Sequence, residues 1–365
     1  MKNYLNFENE VKDLENELEK LKDPFNQEGI SEVDTKKITK TQEELDEKLQ
    51  NIYSNLDPWQ ITLVARHEDR PKSKFFIDNL FDDFILLEGD RYYGEDKSVI
   101  TGFAKFKGHS VLVIGQEKGE NLETRIERNF GMMRPEGYRK TIRLMKLADK
   151  FNIPIITFVD TPGAYPGVGA EERGQAEAIA KSIECCMQIK VPNIAIIIGE
   201  GGSGGAIALA SSNKVLMLEN AIYSVISPEG CATILWKDPK KMLDAAKAMK
   251  LSAKDLLELN IIDEIIYEPI GGAHRNKEII LRNIELSISK NLNFFKEMTG
   301  EEIINHRKNK FLKIGRSKGF INNPESLSAT QLPATKFQQI FSSKKNILIV
   351  TILVTILTLF LTLIL

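Results

Sequence analysis

Two short, dense apolar runs, PIITFVD at 154–160 and NIAIIIG at 193–199, constrain this chain more than any other feature. A strand with one wet face alternates apolar and polar residues, whereas these runs read as strands buried on both faces. The stretch 171–187 between them has helical character, and strand–helix–strand order favours parallel pairing. Each run also opens into a glycine-rich loop, at 160–167 (DTPGAYPG) and at 199–205 (GEGGSGG). In α/β sheets the carboxyl ends of the strands are where ligands bind.

The rest of the chain falls into zones around this pair. In 1–56, Val11, Leu14, Leu18 and Leu21 share one helical face, as do Leu45, Leu49, Ile52 and Leu56. Pro24 and Gly29 break the run, so a helical hairpin is expected there. Asp57-Pro58 ends its second helix. The zone 57–319 alternates strand and helix. Segments 98–106 and 110–115 read as a β-hairpin turning at Lys107-Gly108-His109. Segment 135–151 reads as a helix opening on Pro135, and 214–218 and 221–224 as further strands. Ser252 and Asp255 form a weak capping box, and one long helix over 275–308 closes the zone. Residues 320–345 are a polar linker by composition. The tail 346–365 is apolar, with no charge from Ile347 to Leu365. As a helix rising ~1.5 Å per residue, that stretch would cross most of a ~30 Å hydrocarbon core. Lys344 and Lys345 before it favour the cytoplasmic side, so a membrane anchor is expected.

Composition narrows the function classes. Lys and Arg number 49 against 51 Asp and Glu, for a net charge of −2, without the basic excess on which nucleic-acid affinity rests. No nucleic acid is therefore expected as a partner. Hydrophobic residues make up 42%, enough for a large core. Cys185, Cys186 and Cys231 form no CxxC pair, so neither a zinc ribbon nor a disulfide framework is expected. The four histidines show no HxxxH or HExxH spacing, and no metal is expected in this chain. The opening MKNYLNFENEVKDLE lacks the apolar stretch of a secretion signal, which points to a cytoplasmic protein with reduced thiols.

The loop at 199–205 fits three chemistries. Gly199, Gly201 and Gly204 satisfy the GxGxxG dinucleotide fingerprint, with Glu219 at the end of the next strand. Gly201, Ser203 and Gly205 satisfy GxSxG, with Asp263 and His274 in the order of a hydrolase triad. A glycine pair opening a helix also turns backbone N–H groups toward an oxyanion. Two adjacent loops rich in free amides suit the third chemistry. The dinucleotide reading leaves the 160–167 loop unexplained. Asp160-Thr-Pro-Gly163 resembles a GTPase switch, but no GxxxxGK(S/T) precedes it. Ser203 reads as a helix-capping residue rather than a nucleophile. Arg125, Arg128, Arg134, Arg139 and Arg143 read equally as an anion-attracting cluster, for coenzyme A phosphates or an acidic carrier domain, and as a solvated helix face.

The runs RNFGMMRPEGYRK, PIITFVDTPGAYPGVGAEERGQ, GEGGSGGAIAL, YSVISPEGCATILWKD and EPIGGAHRN occur in order along 1–319. Together they resemble the alpha subunits of the multi-subunit acetyl-CoA carboxylase carboxyltransferase. The resemblance implies a crotonase-like α/β fold, a spiral of ββα units, for 57–319. It implies transfer of a carboxyl group from carboxybiotin to acetyl-CoA, giving malonyl-CoA for fatty acid synthesis, with the biotin anion serving as base. Biotin would be covalently held by the biotin carboxyl carrier protein, not by this chain. ATP would be consumed upstream by biotin carboxylase. The expected partner is a beta subunit bearing a zinc ribbon, in an α2β2 assembly, and that subunit would supply the amides for the acetyl-CoA enolate. Gly204 and Gly205 would supply theirs to the biotin-derived oxyanion, with Gly163, Ala164, Gly201, Gly202 and Ser203 lining the substrate. Where the family reads Gly-His-Gln-Lys-Gly, this chain has Gly115-Gln116-Glu117-Lys118-Gly119, so any role of that histidine has no direct counterpart here.

Overall fold

The computed structural model describes residues 3–23 and 35–315. The Pro24–Gly29 break, the 320–345 linker and the 346–365 tail lie outside the described residues. Among the described residues no helix is long and apolar enough to cross a membrane.

Two helices open the chain, α1 (Asn9–Lys22) and α2 (Thr35–Ser54), and bury Val11, Leu18, Leu45 and Leu49 against each other in a small core of their own. Leu56 lies past the end of α2, because Asp57 starts a new helix. Its carboxylate accepts from the Trp59 and Gln60 amides, and Gln60 reaches back to the Asp57 amide. This capping box with proline at the first position nucleates α3 (Pro58–Ala65). Next come α4 (Ser73–Leu80), β1 (Asp82–Leu86), β2 (Val99–Phe106) and β3 (His109–Gln116). Lys107 and Gly108, both at positive φ, make the two-residue turn that joins β2 to β3.

The middle of the chain supplies α5 (Leu122–Glu127), α6 (Pro135–Lys150), β4 (Ile155–Thr161), α7 (Val168–Glu172), α8 (Gln175–Gln188), β5 (Asn193–Gly202) and α9 (Ser203–Ala210). The helix expected over 171–187 is thus two, broken at Gly174, which adopts φ +82. Then follow β6 (Lys214–Leu218), β7 (Ile222–Ser224), α10 (Pro228–Cys231), α11 (Met242–Met249), α12 (Ala253–Glu258), β8 (Glu264–Ile266), α13 (Lys277–Phe295) and α14 (Gly300–Lys313). The single helix expected over 275–308 is also two. Thr299 and Glu302 form a reciprocal capping box that starts α14 afresh.

One eight-stranded sheet runs β1-β2-β3-β4-β5-β6-β8, with β7 pairing the far end of β5. The pairs β1–β2 and β2–β3 are antiparallel and all others parallel. The strands β4 and β5 are buried nearly from end to end, as continuous apolar runs require. Around them α8 bridges α6 and α9: Cys186 Sγ meets Met145 Sδ, and Ser182 Oγ donates to the Ala208 carbonyl. The fully buried Arg307 of α14 donates to Ile189 O, Val191 O and Asn213 Oδ1, fixing α14 to the entry of β5.

The N-terminal pair is attached through charge. Arg275 bridges Glu8 and Glu15, Tyr53 donates to Glu8 (2.9 Å) and Tyr4 to Glu15 (2.7 Å). Beside them the His67 and His274 rings stack at 3.9 Å, with His67 Nε2 at 3.1 Å from the Asn3 carbonyl. Burial, then the neighbouring His67, Arg275 and Arg70, lower the His274 pKa from 6.5 to about 3. An unfolded chain takes up this proton near pH 6.5 and the folded one resists it. Stability from this site is complete above pH 6.5 and is lost as pH falls toward 3. Calorimetric melting between pH 7 and pH 4 should show a falling Tm. The His274→Asn variant should show a shallower fall over the same range.

Candidate functional site

The two glycine loops meet at the carboxyl ends of neighbouring parallel strands β4 and β5. A Cβ placed on Gly205 would lie 2.6 Å from the Gly163 carbonyl carbon and 2.9 Å from the Ala164 amide. One placed on Gly202 would lie 2.2 Å from the Pro162 carbonyl oxygen. No side chain fits between these backbones, and contact real Cβ atoms do not make would force them apart. The loop beyond β4 is held in shape by Thr161, whose hydroxyl donates to Gly163 O (2.6 Å) and accepts from Gly163 N (3.1 Å). Gly204 differs from its neighbours. Its Cβ would meet only the Ile179 side chain, at 3.6 Å.

Helix α9 starts at this contact. Gly202 is its N-cap and no side chain caps the first turn, so the leading N–H groups, which have no acceptor within the helix, remain available. The helix end adds partial positive charge at the same place. Ser203 does not take the expected capping role. It is the first helical residue, exposed, at φ +48. Gly201 lies within β5 opposite Thr161 and Tyr223, and Gly202 opposite Ser224. Gly163, Ala164, Gly201, Gly202, Ser203, Gly204 and Gly205 therefore gather in one place.

Beneath the loops lies a buried ion network that sequence reasoning missed. The Lys118 ammonium sits 2.8 Å from Asp160 Oδ1 and 2.6 Å from Glu200 Oε2. Arg66 continues the chain of charges to Glu200 and to Glu229, at 2.5 Å each. Asp160 Oδ1 also accepts from the Glu200 amide (2.9 Å), joining the two strand ends directly. Burial alone would raise the Glu200 carboxyl, but Lys118 and Arg66 hold it down at about 2. Burial would likewise lower Lys118, and the carboxylates of Asp160 and Glu200 raise it instead. The signal was present as two acids at the ends of two apolar runs, positions that demand a cation.

Gln116, at the end of β3, spans the two loops with its carboxamide. Its Nε2 donates to Gly205 O (2.8 Å) and its Oε1 accepts from Asp160 N (3.2 Å).

The other two chemistries of the 199–205 loop are not assembled. Asp263 precedes β8 and accepts from Val215 N near the start of β6, with Lys310 as its ion partner. In a parallel sheet that is the end opposite Ser203. His274 is stacked on His67. The serine, aspartate and histidine of a hydrolase are therefore apart. Gly199 and Gly201 are strand residues rather than a turn following one, and Glu219 accepts from the Glu268 amide. The arginine cluster is also dispersed. Arg125 pairs with Glu68, Arg128 donates to Lys97 O, and Arg134 lies over the Tyr165 ring. Arg139 and Arg143 line a cavity of about 780 Å³ between α6 and α8. Among the described residues no group of three or more His, Cys, Asp or Glu side chains is placed to hold a metal ion.

A family model described as acetyl co-enzyme A carboxylase carboxyltransferase-like matches residues 4–315. An acetyl-coenzyme A carboxylase carboxyl transferase subunit alpha of Pelagibacter ubique is 76% identical over 351 residues, covering 95% of each chain. The protein of that name from Chelativorans is 52% identical over 317 residues, covering 87% of this chain and 100% of its own. Among solved structures, the transcarboxylase 12S core superposes with a TM-score of 0.52 at 18% identity, over 64% of this chain and 44% of that one. This last likeness shows a shared fold, the crotonase-like one implied by the sequence motifs.

The ion network yields a stability test. Replacing Lys118 by Met leaves Asp160 buried without its cation and Glu200 with Arg66 alone, a loss on the order of 3–5 kcal/mol. Urea unfolding of Lys118→Met should show that loss, and the shortfall should shrink as pH drops, because the variant's Glu200, held down by Arg66 alone, accepts a proton more readily than the parent's.

Proposed function

The chain belongs to the acetyl-CoA carboxylase carboxyltransferase alpha-subunit family, and from that premise we propose that it transfers a carboxyl group from carboxybiotin to acetyl-CoA, forming malonyl-CoA. The observation that carries this reading is the uncapped first turn of α9 pressed against the 162–164 loop. Backbone amides held by two rigid strand ends are donors that need not reorganise as negative charge develops.

In this reading the Gly204 and Gly205 amides face the ureido oxygen of biotin, and Gly163, Ala164, Gly201, Gly202 and Ser203 shape the surrounding wall. The donor set fits that group: it offers neutral N–H groups at the positive end of a helix, suited to an oxyanion. When bound, carboxybiotin supplies the carboxyl group, and biotin stays covalently attached to the biotin carboxyl carrier protein. This chain orients the carbonyl and stabilises charge on it. Where the two loops touch, at Gly202 and Gly205, the contact is backbone on backbone. The beta subunit, with its zinc ribbon, would complete an α2β2 assembly and present acetyl-CoA from the other side. Biotin carboxylase would recharge the carrier. The division into a 1–56 hairpin, a 57–319 catalytic zone, a 320–345 linker and a 346–365 membrane-tethering tail belongs to the same proposal.

Reconstitution tests the reading: full-length chain, beta subunit and carboxylated carrier should together convert acetyl-CoA to malonyl-CoA, and omission of this chain should abolish it. Gly205→Ala, whose Cβ meets backbone, should lower turnover by roughly two orders of magnitude, comparable with losing one oxyanion donor. Gly204→Ala, whose Cβ has room, should fold and melt like the parent. Ser203→Ala should keep most turnover, whereas a serine nucleophile would lose about 10⁴-fold or more. Malonyl-CoA formation left intact in Gly205→Ala would contradict the placement of the site.

For the tail, carbonate-washed membranes should retain the full-length chain and release one ending at Lys345. Retention of neither would end the anchor proposal and leave the enzyme assignment untouched.

A further inference from the structure

We propose that Gln116 is a positioning residue, a fixed-length strut that sets the spacing of the two glycine loops and so the aim of the α9 amides. The inference rests on the carboxyltransferase reading and adds a residue to it.

The side chain is fully buried, and its carboxamide is engaged at both ends. Nε2 donates to the Gly205 carbonyl at 2.8 Å and contacts Met133 Sδ at 3.3 Å, while Oε1 accepts from the Asp160 amide at 3.2 Å. Those two backbone atoms lie on the two elements whose contact makes the site. Asp160 is the penultimate residue of β4, just ahead of the 162–164 loop. Gly205 is in the first turn of α9, against Gly163 of that loop. A planar carboxamide cannot stretch, so the distance from Asp160 N to Gly205 O is set by a rigid group.

The strut is itself anchored. The Gln116 backbone carbonyl accepts from Ser73 Oγ at 2.5 Å, and the residue pairs with Val99 in the hairpin. Helical hydrogen bonding already supplies the Gly205 carbonyl with a partner one turn on. A second donor from another strand is not needed to form α9. What it adds is orientation of the peptide following Gly205, at the point where misplacement by about 1 Å can cost two orders of magnitude in rate.

The chemistry of the contact also dictates what could replace it. The site asks for one donor toward Gly205 O and one acceptor toward Asp160 N. A neutral imidazole offers both, and an imidazolium offers two donors, one of them aimed at an N–H. The charged groups around this position include Asp160, Lys118 and Glu200; Glu117, which accepts from the Lys74 and Gly119 amides; and Lys72, which acts on Asp160 and Glu117. A carboxamide does not titrate, so the parent strut is indifferent to pH.

The experiment compares the parent with Gln116→Leu and Gln116→His in the reconstituted transferase, using the full chain and its beta partner. Gln116→Leu should lower kcat by about 10- to 100-fold with KM for acetyl-CoA changed less than about threefold. Gln116→His should regain kcat above pH 7.5 and lose it below pH 6, an acid limb absent from the parent. Melting temperatures and gel filtration monitor folding of both. Parent-like kcat in folded Gln116→Leu overturns the strut, as does a Gln116→His profile parallel to that of the parent. An inactive parent would instead overturn the carboxyltransferase reading, so the two failures are distinguishable.

Discussion

The Lys118 ammonium, seated between Asp160 and Glu200, is the charge on which the site depends. Parallel pairing of β4 and β5 brings both strand ends to one edge, and each end carries an acid that faces its neighbour rather than water. Two buried carboxylates that close disfavour one another strongly, and the loops they lead into could not then touch. The cation arrives from the segment leaving β3, the next strand in the sheet. Once the pair is neutralised, Asp160 can accept the Glu200 amide, and the Gly163 and Gly205 backbones can meet. Arg66 and Glu229 extend the same compensation outward to α3 and α10. The sheet order thus decides which side chain can serve as counter-ion.

Much of this was legible in the sequence, and the reasons for the exceptions are physical. The apolar runs at 154–160 and 193–199 became the central strands because nothing but burial on both faces suits them. The hairpin at Lys107-Gly108 followed from turn chemistry. By contrast β1 and β8 are short edge elements, with Asp82, Asp83 and Glu264 among their residues, and their strand character comes from pairing rather than from their own pattern. The break between α13 and α14 was written as Thr299-Gly-Glu-Glu302, a capping box inside an otherwise periodic run. Periodicity masked it. Gln116 was visible only as a departure from a motif and Lys118 only as a match within it, because their roles depend on partners 44 and 89, or 42 and 82, residues away.

Ser203 is instructive about motifs. A GxSxG sequence after a buried strand produced a sharp strand-to-helix turn, with the serine at positive φ, the backbone feature that such motifs encode. Yet the turn places no histidine near the hydroxyl, since His274 is taken up by His67 and Asp263 lies at the opposite sheet edge. The same strained turn does a different task here. It swings the chain from strand to helix within one residue, so the first free amides of α9 emerge directly over the 162–164 loop. Around it, Gly202 and Gly205 lack a side chain because their backbones lie directly against Pro162 and Gly163.

A site built this way separates charge from reactivity. Its charged groups, Lys118, Asp160, Glu200 and Arg66, are paired with one another below the loops, and that pairing lowers the Glu200 carboxyl and raises the Lys118 ammonium against the pull of burial. What remains above them is peptide amide, which neither gains nor loses a proton. In the proposed reading, an oxyanion held there meets donors whose strength is set by geometry alone, a geometry that rests on the ion network beneath and the Gln116 carboxamide alongside. Such a cradle tunes nothing by titration. The base that takes a proton from the acyl group must then come from outside this set of residues, which is why a chain of this construction suits chemistry in which the transferred group's carrier, or a second subunit, brings the proton acceptor with it.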